Sequence, residues 1–369
     1  MEDKKKEVGV EKTKDYFFSS GAYGCVHYPR IKCDGTQKSI RPGKRKDGLL
    51  SKLVLYDSKS KNEYLVGKKL KATSMLKNNP VVVVERKCEI KAKGVNKILR
   101  GYKKCQKVLS RKKYKKYKYV LFFSKYYESI TAKQYIYDSG QFSVHKILKY
   151  FYFCVYVSNI LKNFNVVHND MHLNNVVYDK HGQFHLVDFG LSLDIDKMYS
   201  DVVEKKTLNY HHLMGSLVNH EVKWIASSIE HHILNHFIFK RRSLSSRELM
   251  YIVNNYYELF EKKKWVLDID DYDSYKTNVY DHYHELFVNH DSIEKHIVSI
   301  ITKSSHSWDM YRVALSCLNA IEHFKYDISK TNFRLDEFRQ ILQKCLHYNF
   351  TLRPSSEKLL KTIASLSLI

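Results

Sequence analysis

The sequence predicts an α+β chain: a small, mostly β N-terminal part with one helix, then a larger, mostly helical part. Three observations predict it. Runs rich in β-branched, leucine and aromatic residues, at 49–55, 81–84 and 119–123, cluster before residue 124, as strands do. One helical stripe stands among them: Leu65, Val66, Leu70, Met75 and Leu76 predict a helix over Lys59–Leu76. Beyond residue 128 long helical stripes dominate, the first over Phe142–Lys162.

In chain order, residues 1–15 form a charged tail, expected to be disordered. Ser19-Ser20-Gly21-Ala22-Tyr23-Gly24-Cys25-Val26 follows. Its glycines let the backbone approach phosphate oxygens and offer them N–H donors, although an ordinary hairpin turn has the same composition. The run 49–55 is the best strand downstream, and Lys52 is its one basic residue. Glu63 lies eleven residues on, in the predicted helix, where it can pair with Lys52. Ser60-x-x-Glu63 is also a capping box, which would leave Glu63 only to close the helix start.

Residues 168–175 read His-Asn-Asp-Met-His-Leu-Asn-Asn, and Asp188-Phe189-Gly190 comes after them. Between lie two short strand-like runs, Asn175–Tyr178 and Gln183–Val187, with a turn at Asp179-Lys180-His181-Gly182. Gly182 can supply positive φ there. Such a hairpin brings Asn175 toward Asp188. Asp170 can orient a hydroxyl, while Asn175 and Asp188 offer an amide oxygen and a carboxylate to a divalent cation. Phosphoryl transfer needs these groups: one to position the attacking oxygen, two to hold Mg2+ against the phosphates. Turn-forming residues around a buried hairpin could supply each identity singly, but all three at this spacing need a common cause.

H-x-D-x-x-x-x-N followed by D-F-G resembles the catalytic and metal-binding segments of protein kinases. The resemblance runs over nearly the whole chain, from Ser19 to Leu360. Ser19–Val26 resembles the glycine-rich nucleotide loop, with Ser19 at the first glycine position. Trp224–Glu230 resembles the A-P-E region, with Ser228 in place of proline. Trp308–Ala314 resembles the start of the central helix, whose Asp (Asp309 in this chain) braces the catalytic loop. Cys345–Ser355 resembles the last subdomain, whose Arg (Arg353) pairs with the A-P-E Glu (Glu230). A finer similarity rests on Gly24-Cys25-Val26-His27-Tyr28-Pro29, Ile31-Lys32-Cys33 and Ser51-Lys52. It is to serine/threonine kinases encoded by large nucleocytoplasmic DNA viruses.

The resemblance implies a bilobal protein-kinase-like fold, with N-lobe and hinge over residues 16–127 and C-lobe over 128–369. Ser124–Tyr127 would be the hinge that meets adenine. A segment at about 235–305, longer than this fold usually needs, reads as an insertion. The resemblance also implies ATP and Mg2+ as cofactors. Ser19, Gly21, Ala22, Tyr23, Gly24 and Val26 would line the nucleotide. Lys52, aimed by Glu63, would grip the α/β-phosphates. Asp170 would accept the substrate proton, and Asn175 and Asp188 would hold Mg2+. Protein substrates modified on Ser or Thr are implied, as is an intracellular location, in host cytoplasm or packaged in a virion.

Two positions depart from the pattern. Asn169 replaces the Arg beside the catalytic Asp, which normally captures a phosphorylated activation-loop residue. His172 stands where serine/threonine kinases usually carry Lys. H-x-D-x-H-x-x-N also resembles aminoglycoside and choline-type phosphotransferases, so a small-molecule phosphotransferase is an alternative. A non-catalytic basic scaffold is another; Lys52, Asp170, Asn175 and Asp188 together argue against it.

Composition supplies bounds. The 369 residues are 44% hydrophobic, with 29 Tyr and 18 Phe, which excludes a disordered chain. Four Pro and 13 Gly leave no linker or low-complexity stretch. The first six residues lack an apolar core, so no signal peptide is expected, and no run approaches the length of a spanning helix. Seven scattered cysteines without C-x-x-C predict free thiols in a reducing compartment. His232 and His236, one turn apart beside Glu230, could begin a zinc site but imply no third ligand. Net charge is +24, densest over residues 102–118. That segment reads either as a footprint for nucleic acid or an anionic surface, or more simply as a solvated loop. Oligomeric state is not encoded in any of these features.

Overall fold

A computed structural model describes residues 17–21, 24–28, 30–33, 48–72, 80–90, 95, 118–138, 143–200, 207–217, 226–261, 263–267, 269–288, 292–325 and 334–367. The N-terminal tail, Ala22 and Tyr23 of the glycine loop, residues 102–117 of the basic segment, and Trp224 lie outside them. The chain divides into two compact units, Met1–Tyr56 with Val84–Tyr126, and Asp57–Val83 with Tyr127–Ile369. One holds a small antiparallel sheet and the other is mostly helical, the α+β composition of a protein-kinase-like fold.

In the smaller unit, β1 (Phe17–Gly21), β2 (Gly24–His27), β3 (Leu49–Leu55), β4 (Val84–Ile90) and β5 (Tyr119–Lys125) form one sheet in the order β1-β2-β3-β5-β4. Cys25, Ile31, Leu53, Leu121 and Phe123 share its core. Gly24 has no room for a side chain, since a Cβ there would lie 2.7 Å from the Leu53 carbonyl oxygen. Lys52 pairs with Val26 on one side and Phe122 on the other.

Two expectations are corrected here. The apolar run 81–84 is not the strand that joins this sheet; Val84–Ile90 is. Its Glu85, Arg86 and Lys87 are exposed on an edge strand, where charge discourages pairing with another chain. Val81 instead bridges Leu186 in the larger unit, and Val82 N donates to Leu186 O at 2.8 Å. Nor are all the thiols free: Cys33 and Cys88 form a disulfide across 55 positions, their Cα atoms 6.0 Å apart. Free thiols remain at Cys154, Cys317 and Cys345, all buried.

The larger unit begins with α1 (Ser58–Lys71). Asp57 caps it: its Oδ1 accepts from Ser60 N at 2.9 Å while Ser60 Oγ accepts from Asp57 N at 3.0 Å. The capping box therefore lies one turn before Ser60–Glu63, and Glu63 is a buried mid-helix residue. Val66 and Leu70 are buried, but Leu65 is exposed, and Met75 and Leu76 lie outside the described residues. This helix falls in the larger unit, whose first stretch is Asp57–Val83.

Its center is built from α2 (Ala132–Tyr137), α3 (Val144–Asn163) and the following helices α4 (Tyr210–Ser216), α5 (Ile229–Lys240), α6 (Ser246–Glu261), α7 (Tyr272–Phe287), α8 (Ile293–His323), α9 (Leu335–Cys345) and α10 (Ser356–Ser367). Every residue of α8 from Trp308 to Leu315 is buried, the condition of a helix surrounded by others. Phe237, Val253, Tyr256, Phe260, Val279 and Tyr283 belong to the same core as α3 and α8. Residues of the segment at about 235–305 thus contribute to that core. No described helix is long and apolar enough to cross a membrane.

Candidate active site

The stretch 168–175 is delivered by a short buried strand, Val166–Val167, which pairs with Leu193–Asp194. It leaves through a hairpin, Val176–Asp179 against Phe184–Leu186, with Val176 opposite Leu186. Asp179 organises the turn: its Oδ1 accepts from His181 N at 2.8 Å and Gln183 N at 2.9 Å, and its Oδ2 meets His185 Nε2 at 2.9 Å. Gly182 takes φ 80° there, as the turn requires. One step beyond the ladder, Val187 N donates to Asn175 O at 2.9 Å, which brings Asn175 within one residue of Asp188.

A buried carboxylate on α8 fixes the start of the loop. Asp309 accepts from His168 N at 2.9 Å and from Asn169 N at 2.8 Å. Burial pushes its carboxyl above the usual range, against the pull of His168 and these donors. The His168 ring Nε2 meets Val187 O at 3.1 Å, and Nδ1 accepts from Asp170 N at 3.3 Å. The carbonyl can only accept, so Nε2 carries the hydrogen. Asn169 adopts a left-handed φ of 58°, and its amide donates to Ser216 O at 2.8 Å.

Asp170 is half-buried and held from two sides. The Asn175 amide nitrogen donates to Asp170 O at 2.9 Å and to Oδ2 at 3.0 Å. Arg312 Nη1 donates to Oδ1 at 2.5 Å. His172 Nε2 lies 3.7 Å from the same oxygen; its Nδ1 accepts from Asn174 N at 3.1 Å. Burial lowers the pKa of His172, with Asp170 pulling the other way and Arg312 adding to the fall. Arg312 is the residue that sequence reasoning missed. The signal exists: Asp309 and Arg312 are three apart on one helix, hence on one face.

Asp188 takes φ 65°, rare for a residue with a side chain, and its Oδ1 accepts from Gly190 N at 3.4 Å. A side chain at Gly190 would come within 3.2 Å of that Oδ1 and 3.6 Å of Glu63 Oε2. Two carboxylates therefore flank Gly190, a placement suited to cations. For Mg2+, the donor set fits. Asn175 Nδ2 is spent on Asp170, so its amide oxygen is the group it can offer, and oxygen donors from one or two side chains are what Mg2+ takes. Helix α1 grips the next residues: Asn62 Nδ2 donates to Ser192 O at 2.5 Å, and Lys69 bridges Asp194 at 2.5 Å and Asp196 at 2.7 Å.

At the far end of this segment Ser228 opens α5 and donates to Glu230 Oε1 at 2.6 Å. Glu230 is bound by Arg353, and His236 Nε2 meets Ser243 O at 3.3 Å. Among the described residues no group of three His, Cys, Asp or Glu is arranged to hold a metal. Ser19, Gly21, Gly24, Val26 and Lys52 lie in the smaller unit, on β1, β2 and β3. The chain passes from the smaller unit to the larger between Tyr126 and Tyr127.

Residues 121–228 match the family model of the ABC1 atypical kinase-like domain. The matched stretch runs from β5 to the residue before α5 and contains Asp170, Asn175 and Asp188. A search of curated proteins found none that matches the chain. The match covers under a third of the chain and, with the α+β fold, gives it a likeness to kinase-like domains.

Proposed function

We propose that the chain is an ATP- and Mg2+-dependent protein kinase that moves the γ-phosphoryl group to a serine or threonine hydroxyl. One observation carries the reading: Asp170 stands on a loop braced by Asp309, with its carboxylate aimed by Asn175. In this reading Asp170 hydrogen-bonds the substrate hydroxyl and accepts its proton as the oxygen attacks phosphorus. The bond from the γ-phosphorus to the bridging oxygen breaks, and ADP carries that oxygen away. Asn175 and Asp188 would hold Mg2+, which neutralises phosphate charge when bound. Lys52 binds the α/β-phosphates and Glu63 orients it, while Ser19, Gly21, Ala22, Tyr23, Gly24 and Val26 surround the nucleotide.

A second reading, a small-molecule phosphotransferase, draws on His172 beside Asp170 and on the atypical family that residues 121–228 match. The buried Glu230–Arg353 pair favours the protein kinase, because it joins two segments that resemble protein-kinase motifs. The deciding experiment offers labelled ATP and Mg2+ with a basic protein, an acidic protein, an aminoglycoside and choline. Phosphoserine or phosphothreonine in either protein supports the proposal. Label confined to a small molecule replaces it with the second reading, and no transfer at all leaves a non-catalytic scaffold.

A further inference from the structure

Arg312 is buried in α8, one turn beyond Asp309, and all three of its guanidinium nitrogens are engaged. Nε donates to Ala226 O at 3.0 Å, Nη2 to Ser227 Oγ at 3.3 Å, and Nη1 to Asp170 Oδ1 at 2.5 Å. The planar fork therefore ties the carboxylate of Asp170 to the two residues that precede Ser228 and α5. Among the described residues, Asn169 and His172 beside Asp170 make no such tie. Asn169 is neutral and committed to Ser216 O. His172 stands 3.7 Å away, and burial lowers its pKa, which favours the uncharged ring near neutral pH.

We propose that Arg312 is the positioning residue of phosphoryl transfer, fixing the Asp170 carboxylate and coupling it to the end of the activation segment at Ala226–Ser227. The proposal rests on the kinase reading above. Its physical basis is preorganisation: a charge-assisted bond from a rigid, buried fork leaves Asp170 one oxygen orientation. The second oxygen is held by Asn175, so the carboxylate meets the hydroxyl without first having to rotate. Because the cation comes from the core helix, this alignment is built in before any modification of the activation segment.

The test is steady-state kinetics on the wild type, Arg312→Lys, Arg312→Gln, Asp170→Asn and the Arg312→Gln/Asp170→Asn double variant. Nucleotide binding is measured on each as a check of folding. Arg312→Gln should lower kcat by about 10²-fold while KM for ATP stays within about threefold. Arg312→Lys should recover part of the loss, because it keeps the charge and loses the fork. The double variant should be no slower than Asp170→Asn alone, since two residues acting as one unit do not add. A kcat for Arg312→Gln within about threefold of wild type, or losses that multiply in the double variant, would overturn the proposal. If Arg312→Gln fails to bind nucleotide, Arg312→Lys decides: a kcat equal to wild type overturns it, and a reduced kcat with unchanged KM for ATP supports it. A wild-type chain that transfers no phosphoryl group overturns the kinase reading first, and the proposal with it.

Discussion

Glu230 and Arg353, 123 positions apart, meet as a bidentate ion pair in the larger unit: Nη1 to Oε1 at 2.6 Å, Nη2 to Oε2 at 3.0 Å. Both side chains are buried. Burial opposes the charge on Arg353, but the Glu230 carboxylate overturns that, and its pKa is held above the ordinary range. Trp308 Nε1 and Ser228 Oγ also donate to Glu230, while Tyr283 Oη donates to Tyr348 O at 2.6 Å and lies 3.3 Å from Glu230 Oε2. Glu230→Ala strands a buried guanidinium and should destabilise the protein by about 3–5 kcal/mol. Tyr283→Phe removes a neutral donor and should cost about 1 kcal/mol through its hydrogen bonds. Urea unfolding of both variants checks this; equal losses would show that charge burial is not what matters.

Asp170→Ala should reduce turnover by roughly 10²-fold or more, since positioning and proton acceptance are lost together. Nucleotide affinity should stay within a few-fold, because in the proposed mechanism Asp170 meets the substrate hydroxyl and not the nucleotide. Single-turnover rates and nucleotide titration measure the two effects separately. Retention of more than about a tenth of the wild-type rate would remove Asp170 from the chemistry.

Asp188→Asn turns one anionic metal ligand neutral and should weaken Mg2+-ATP binding more than binding of metal-free ATP. Titrations with and without Mg2+ give the comparison. If the substitution weakened both forms equally, Asp188 would be shaping the backbone at its φ of 65° and not holding a cation.

The sheet unit should lose stability in mild acid through His27. Its ring is fully buried, and burial lowers its pKa from 6.5 to about 4, with the Cys25 main chain pulling the other way. Between these values the unfolded chain holds a proton that the folded chain does not. The unfolded state binds more protons, so stability rises with pH across the window and falls on acidification from 6.5 toward 4. This ring alone accounts for up to about 3 kcal/mol. Other buried histidines titrate too, so the informative quantity is the difference in pH slope between wild type and His27→Phe. Identical slopes would rule His27 out.

What the sequence makes legible follows from local rules. The hairpin between Asn175 and Asp188 turns where Asp179 and Gly182 supply turn chemistry, and Asp309 and Arg353 stand in runs whose order alone locates their partners. What it hides is either long-range or locally contradictory. Cys33 and Cys88 stand 55 positions apart and are brought together only by the fold of the smaller unit. The hydrophobic residues 81–83 mimic a strand, while the real strand, Val84–Ile90, looks like a solvated turn because it lies on an edge. Asp57 outcompetes Ser60 as the cap because its side chain reaches Ser60 N, while Ser60 Oγ reaches back to Asp57 N. Arg312 is hidden among 63 basic residues, and only its three-residue offset from Asp309 marks it.

Control is the last expectation, and Asn169 carries it. Phosphorylation of an activation segment works by adding about −1.5 to −2 charges that a nearby Arg captures. The segment here offers Tyr199, Ser200, Thr207 and Tyr210. Tyr199 and Ser200 pair with Leu208 and Thr207 in a small two-stranded ladder, and Tyr210 opens α4 with Arg241 4.6 Å over its ring. The side chain beside Asp170, however, is a buried amide already donating to Ser216 O. It cannot form a bidentate, charge-assisted pair with a phosphate. Nearby Lys197 is engaged with Asp194 at 3.4 Å, and Lys205 and Lys206 lie outside the described residues. With Arg312 holding Asp170 from the core, a phosphate on the segment has little alignment left to supply. The enzyme should therefore be active without it, and phosphatase treatment should change kcat by less than about threefold. A tenfold or greater loss, about 1.4 kcal/mol in barrier, restored by rephosphorylation at one of those four residues, would show that the segment has another way to capture the charge.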